Sequence, residues 1–81
     1  MSVQMEQKVT SYEIAGIAKA RLKASSHPAL RDVACMYDNG VLVLRGRLNS
    51  FFHSQLAQET VRKVAGVERV VNQIEVIRHA M

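Results

Sequence analysis

The sequence predicts an α+β domain of order α-β-β-α-β, a three-stranded mixed sheet with two helices packed on one face. Three observations carry that prediction. Ile14, Ile17, Ala18, Leu22 and Ser25 recur at helical spacing. Val33, Cys35 and Tyr37, then Leu42, Leu44 and Leu48, alternate with outward positions on either side of Asp38-Asn39-Gly40, a hairpin turn signal. A second helical arc (His53, Leu56, Ala57, Thr60, Val61, Val64) then precedes a third alternating stretch, Val70, Asn72, Ile74 and Val76. Two amphipathic helices need a sheet on which to bury their stripes. The helical crossover between the second and third strands makes those strands parallel and the crossover right-handed.

Each element has local reasons to start and stop. Thr10-Ser11-Tyr12-Glu13 is a capping-box pattern that opens a helix over about 11–25. Ser25-Ser26-His27-Pro28 closes it, since the residue before proline avoids the helical region. Lys19 and Lys23 lie opposite the apolar arc, with Arg21 at its edge; a basic C-terminal half suits the helix dipole. The hairpin strands span about 32–37 and 41–46. Asn49 or Ser50 caps a second helix of about 50–65, which Gly66 terminates, and the last strand covers about 69–77. Residues 1–10 form a flexible N-terminal arm, 11–77 the folded domain and 78–81 a tail. Leu42, Leu44, Ile74, Val76, Ile14, Ile17, Leu22, Leu56, Ala57 and Val64 should share one core.

Bulk properties exclude several classes. At 81 residues there is room for one small domain and none for a separate catalytic one. Such a chain buries only roughly 60% of its unfolded surface, which makes association a common remedy. The first ten residues carry Gln4, Glu6, Gln7 and Lys8 and no apolar core, so they do not form a signal peptide. The longest apolar run, Val41 to Leu44, is far short of a membrane span. The chain as written is therefore expected in the cytoplasm, or in the periplasm if a precursor segment has been removed. Cys35 is the sole cysteine, leaving no internal disulfide and no Cys/His metal pattern. A net charge of +4 suits anionic surfaces without choosing among them.

Two stretches go beyond pattern. Gly40, Leu42, Leu44 and Gly46 fill a hairpin strand of the form Gly-x-hydrophobic-x-Leu-x-Gly. Ala57 sits in the helix that follows, and Gly66, Val67, Val70, Asn72, Ile74 and Val76 fill a Gly-Val-x-x-Val-x-Asn-x-hydrophobic-x-Val segment. In that order and spacing, over about 11–77, the chain resembles the BON domain, the small bacterial module named for osmotic-shock and nodulation proteins. The resemblance implies the α-β-β-α-β fold and a noncatalytic module that binds phospholipid surfaces or envelope partners. Such modules often occur in tandem or behind an export signal, whereas this sequence has one copy. Its strand-to-helix turn, Arg45 to His53, is also richer in Arg and Phe than usual.

The candidate sites follow. The strand-to-helix junction at 44–53 is the foremost: a helix N-terminus favours an anion, Arg45 and Arg47 lie within reach, and Phe51 points away from the core. Cations beside an exposed aromatic suit an anionic lipid interface; the plainer reading is a glycine that permits the turn and solvated arginines. The outer sheet face should carry Ala34, Met36, Val41, Val43, Val71 and Ile77 beside Arg45, Arg47, Gln73 and Glu75. That is more apolar than a solvent face needs, which makes Met36, Val41, Val43, Val71 and Ile77 a candidate oligomer or partner face. His53 has no trusted nucleophile beside it and is expected to be a packed histidine. His27 and His79, distant singles, make no metal site. Cys35 is expected in the core with no basic neighbour to lower its pKa. Asn72, facing the core, should tie down a neighbouring backbone group.

Neither a carboxylate pair nor a nucleophile–base pair nor a metal cluster can be drawn, so no enzyme activity, cofactor or small-molecule substrate is expected. The leading expectation is an interaction module engaging an anionic phospholipid surface or a protein partner, with homo-oligomerisation open. The alternative is a small basic nucleic-acid-binding domain. Against it stand the modest charge and the absence of a GxxG clamp or an aromatic pair on a central strand.

Overall fold

A computed structural model describes residues 10–77. Apart from Thr10, the N-terminal arm expected over 1–10 and the tail over 78–81, His79 included, lie outside the described residues. The elements follow the expected order: α1 (Ser11–Ala24), β1 (Ala34–Asp38), β2 (Val41–Leu48), α2 (Phe51–Arg62) and β3 (Arg69–Val76). β2 is central, antiparallel to β1 and parallel to β3.

The local signals act as their chemistry dictates. Thr10 Oγ1 accepts from the Glu13 amide at 3.1 Å while Glu13 Oε1 accepts from the Thr10 amide at 2.9 Å, closing the capping box. At the hairpin, Asn39 and Gly40 take φ of 47° and 85°, the paired positive values of a tight two-residue turn. The Gly40 carbonyl then accepts from the amides of Glu68 (2.8 Å) and Arg69 (3.1 Å), tying the hairpin tip to the start of β3.

Register places Leu42, Leu44 and Leu48 inward, all buried, with Val41, Val43, Arg45 and Arg47 outward. The core unites these leucines with Ile14, Ala18 and Leu22 of α1 and Ala57, Val61 and Val64 at and beyond α2; Leu56 and Ile74 are partly buried against it.

Several expectations are corrected, among them the first hairpin strand, which spans Ala34–Asp38 rather than 32–37. Ile17 is 45% exposed and lies outside the core. Ile14, Ala18 and Leu22 progress around the helix, so the buried stripe drifts towards Ala15 and Lys19 and leaves Ile17 on the far flank. Val76 is only half-buried, because it closes the edge strand at its far end. β2 runs two residues past Gly46, since β3 keeps pairing through Arg47↔Glu75 and Leu48↔Val76. α2 ends at Arg62 with Lys63 as its C-cap, so Gly66 ends the following turn rather than the helix.

A 3₁₀ turn at Pro28–Asp32, unforeseen, drops Leu30 fully into the core. Lys19 secures the end of this turn: its ammonium donates to the carbonyls of Arg31 and Val33, both at 2.6 Å. This lysine is half-buried against backbone rather than placed on a solvated face.

Asn72 does what its inward position requires. Its amide nitrogen lies 3.2 Å from the Ser54 carbonyl, 3.0 Å from Ser54 Oγ and 3.2 Å from Gln58 Oε1, tying β3 to α2. Its oxygen accepts from the Ile74 amide at 3.0 Å, satisfying a donor on an edge strand. Asn72→Ala therefore strands the buried Ser54 hydroxyl. It should cost about 1–3 kcal/mol, read as a lower urea midpoint at unchanged slope.

Candidate anion-binding and contact surfaces

Two surfaces carry the residues singled out above. The first is the end of the sheet where β2 finishes and α2 begins. Gly46 lies within β2 at φ 151°, and a Cβ on it would lie 3.3 Å from the Asp32 carbonyl oxygen and 3.5 Å from Val33 Cα. Its role is thus a close backbone crossing within the strand rather than a turn. Ser50 caps α2, its hydroxyl accepting from the His53 amide at 3.3 Å.

Arg45 and Arg47 leave the outer face two residues apart, both exposed. Arg47 meets Glu75 of the adjacent strand at 3.3 Å, with both side chains mostly solvated. An ion pair this exposed holds its members weakly. Phe51 is 65% exposed and sits on the helix side of the sheet, along a groove lined by Ser54, Gln58, Asn72, Ile74 and Val76. The arginines and Phe51 thus share one end of the sheet, on opposite sides of its edge.

Phe52, which sequence reasoning passed over, is 59% exposed. Its ring stands 5.8 Å from that of His27 and 5.4 Å from that of His53, and the two imidazoles are 5.5 Å apart. Two histidines distant in sequence are therefore neighbours. The signal available was Phe52 itself, an aromatic in the first turn of α2 outside the apolar arc. No group of three or more metal-ligating side chains occurs among the described residues.

The second surface is the outer sheet face. Cross-strand pairing lines up Met36, Val43 and Val71, with Asp38, Val41 and Arg69 beside them. Met36 is exposed and the three valines half-buried, a contiguous apolar patch. Ile77 stands apart: its amide still donates to the Leu48 carbonyl at 2.7 Å, but the Arg45 and Arg47 rows separate it from the patch. Its distance from Val71 is about 20 Å at strand spacing.

Cys35 is half-buried on the inner side of β1, facing Lys19. Burial pushes its thiol above the ordinary value, and the nearby ammonium, a basic neighbour that sequence reasoning missed, offsets this only in part. The outcome is a thiol kept protonated, the opposite of an activated nucleophile.

No helix among the described residues is long and apolar enough to cross a membrane. No curated protein matches this sequence. The family model of the BON domain matches residues 12–78, nearly the whole chain, and with the two-helix, three-stranded fold of the same order this chain belongs to the BON domain family.

Proposed function

We propose that this domain is a noncatalytic docking module whose partner is an anionic phospholipid surface. Contact is made by the sheet end that carries Arg45, Arg47 and Phe51. BON domains are phospholipid-binding or interaction modules in general, and the observation that carries the finer reading is the exposed aromatic pair Phe51 and Phe52 at the same end as two exposed cations. Aromatic rings gain by entering the headgroup boundary while guanidinium groups meet lipid phosphates. The amides of the first α2 turn add a partial positive charge to that end.

Flotation with vesicles of phosphatidylcholine, alone or mixed with phosphatidylglycerol, tests this reading. Each cation near the surface contributes roughly 1 kcal/mol, so replacing both Arg45 and Arg47 with Gln should cost about 2 kcal/mol, or thirtyfold, at low salt. Phe51→Ala should weaken binding further with little salt dependence, because that contribution is apolar burial. Equal binding by the wild type and the double variant at low salt would contradict the site. A gel shift with short RNA or DNA, in a protein that ignores anionic vesicles, would favour a nucleic-acid partner instead.

A further inference from the structure

The outer face carries opposite charges at the two ends of one cross-strand row. Asp38 on β1, Val41 on β2 and Arg69 on β3 are register partners. Neighbouring strands lie about 4.8 Å apart, so the backbones of Asp38 and Arg69 are about 10 Å apart across Val41, and no ion pair joins the two side chains within one chain. The ion pairs among the described residues are Arg47–Glu75 and Arg62–Glu59. The next row is Met36, Val43 and Val71.

A two-fold axis running along β2, midway between two facing copies of the sheet, exchanges β1 with β3. It sets Asp38 of each copy over Arg69 of the other. Val41 and Val43 then face their own copies, and Met36 faces Val71. Strands in such a pair stay nearly aligned, as in ordinary sheet-on-sheet packing. A two-fold axis across the strands would set Asp38 over Ala34 and Arg69 over Gln73, joining no charges.

We propose that this face is the contact surface of a symmetric homodimer, two Asp38–Arg69 pairs flanking a valine and methionine centre. The partner is a second copy because the face is complementary to itself under that one operation. The same axis brings Arg45 over its own copy, so the contact ends at that row and the sheets splay beyond it. The apolar rows alone cover a few hundred Å² per copy, below a standard interface, which makes the dimer weak. The axis also leaves both α2 N-termini at the same end. If the lipid reading above holds, a dimer presents two docking edges side by side.

Sedimentation without lipid tests the dimer independently of that reading. The wild type should pass from monomer to dimer between ~10 μM and ~1 mM. Asp38→Arg and Arg69→Asp should each weaken self-association at least tenfold while keeping the wild-type circular dichroism. Mixed in equal amounts, the two variants should associate at least as well as the wild type, since each contact between positions 38 and 69 again joins opposite charges. Arg45→Gln, by removing a like-charge contact, should tighten the dimer. A wild type still monomeric at ~1 mM, or a mixture no more associated than either variant alone, would overturn the proposal.

Discussion

Leu44→Ala is expected to lower the stability of the domain by about 2–5 kcal/mol, a large share of the roughly 4–12 kcal/mol that a chain of this size holds. Leu44 is fully buried at the centre of β2, paired with Cys35 on one side and Asn72 on the other. Removing its branched end opens a void below both helices, and strands held on either side leave little room to collapse into it. Chemical denaturation should show a markedly lower midpoint, with partial unfolding near physiological temperature. Val43→Ala, one residue away on the outer face, should cost well under half as much because that side chain is only half-buried. Comparable losses at the two positions would mean that the register is wrong by one residue.

Gly46→Val should be as severe, through backbone rather than burial. A non-glycine residue in a sparsely populated backbone region costs about 1–3 kcal/mol, and a β-branched side chain is the least tolerant of it. The φ of 151° imposes that strain, and the added Cβ also presses on the Asp32 carbonyl oxygen at 3.3 Å. Overpacking a fixed backbone adds a further ~1–3 kcal/mol, for a total of about 2–6. Gly46 also sits between Arg45 and Arg47, so a shift of the strand at this point would displace both cations. Thermal unfolding should show the loss. A variant that melts with the wild type would show that the strand does not need this crossing.

Much of the fold was legible because alternation and helical spacing report burial directly. Leu42 and Leu44 against Val43, or Ile14, Ala18 and Leu22 on α1, decide the faces without tertiary knowledge. What was not legible came from contacts distant in sequence. The exposure of Ile17 depends on which flank of α1 the sheet occupies. The 3₁₀ turn at Pro28–Asp32 rests on Leu30 reaching a core made by other elements. Lys19 resembles a solvated lysine until the chain returns beneath it at Arg31 and Val33. The surfaces divide in the same way. The apolar side chains of the outer face follow from strand phase, whereas the proximity of His27, Phe52 and His53 depends on how the α1–β1 connection folds back.

The central claim, an anionic lipid surface as the partner, is tested most directly by the unmodified protein on two kinds of vesicle at equal lipid concentration. Vesicles of phosphatidylcholine alone should leave it in the bottom fraction. A third of phosphatidylglycerol should float it at low salt, and physiological salt should weaken that binding as the Debye length shortens to about 8 Å. Flotation that is equal on both compositions, or absent from both across the salt range, would contradict the account.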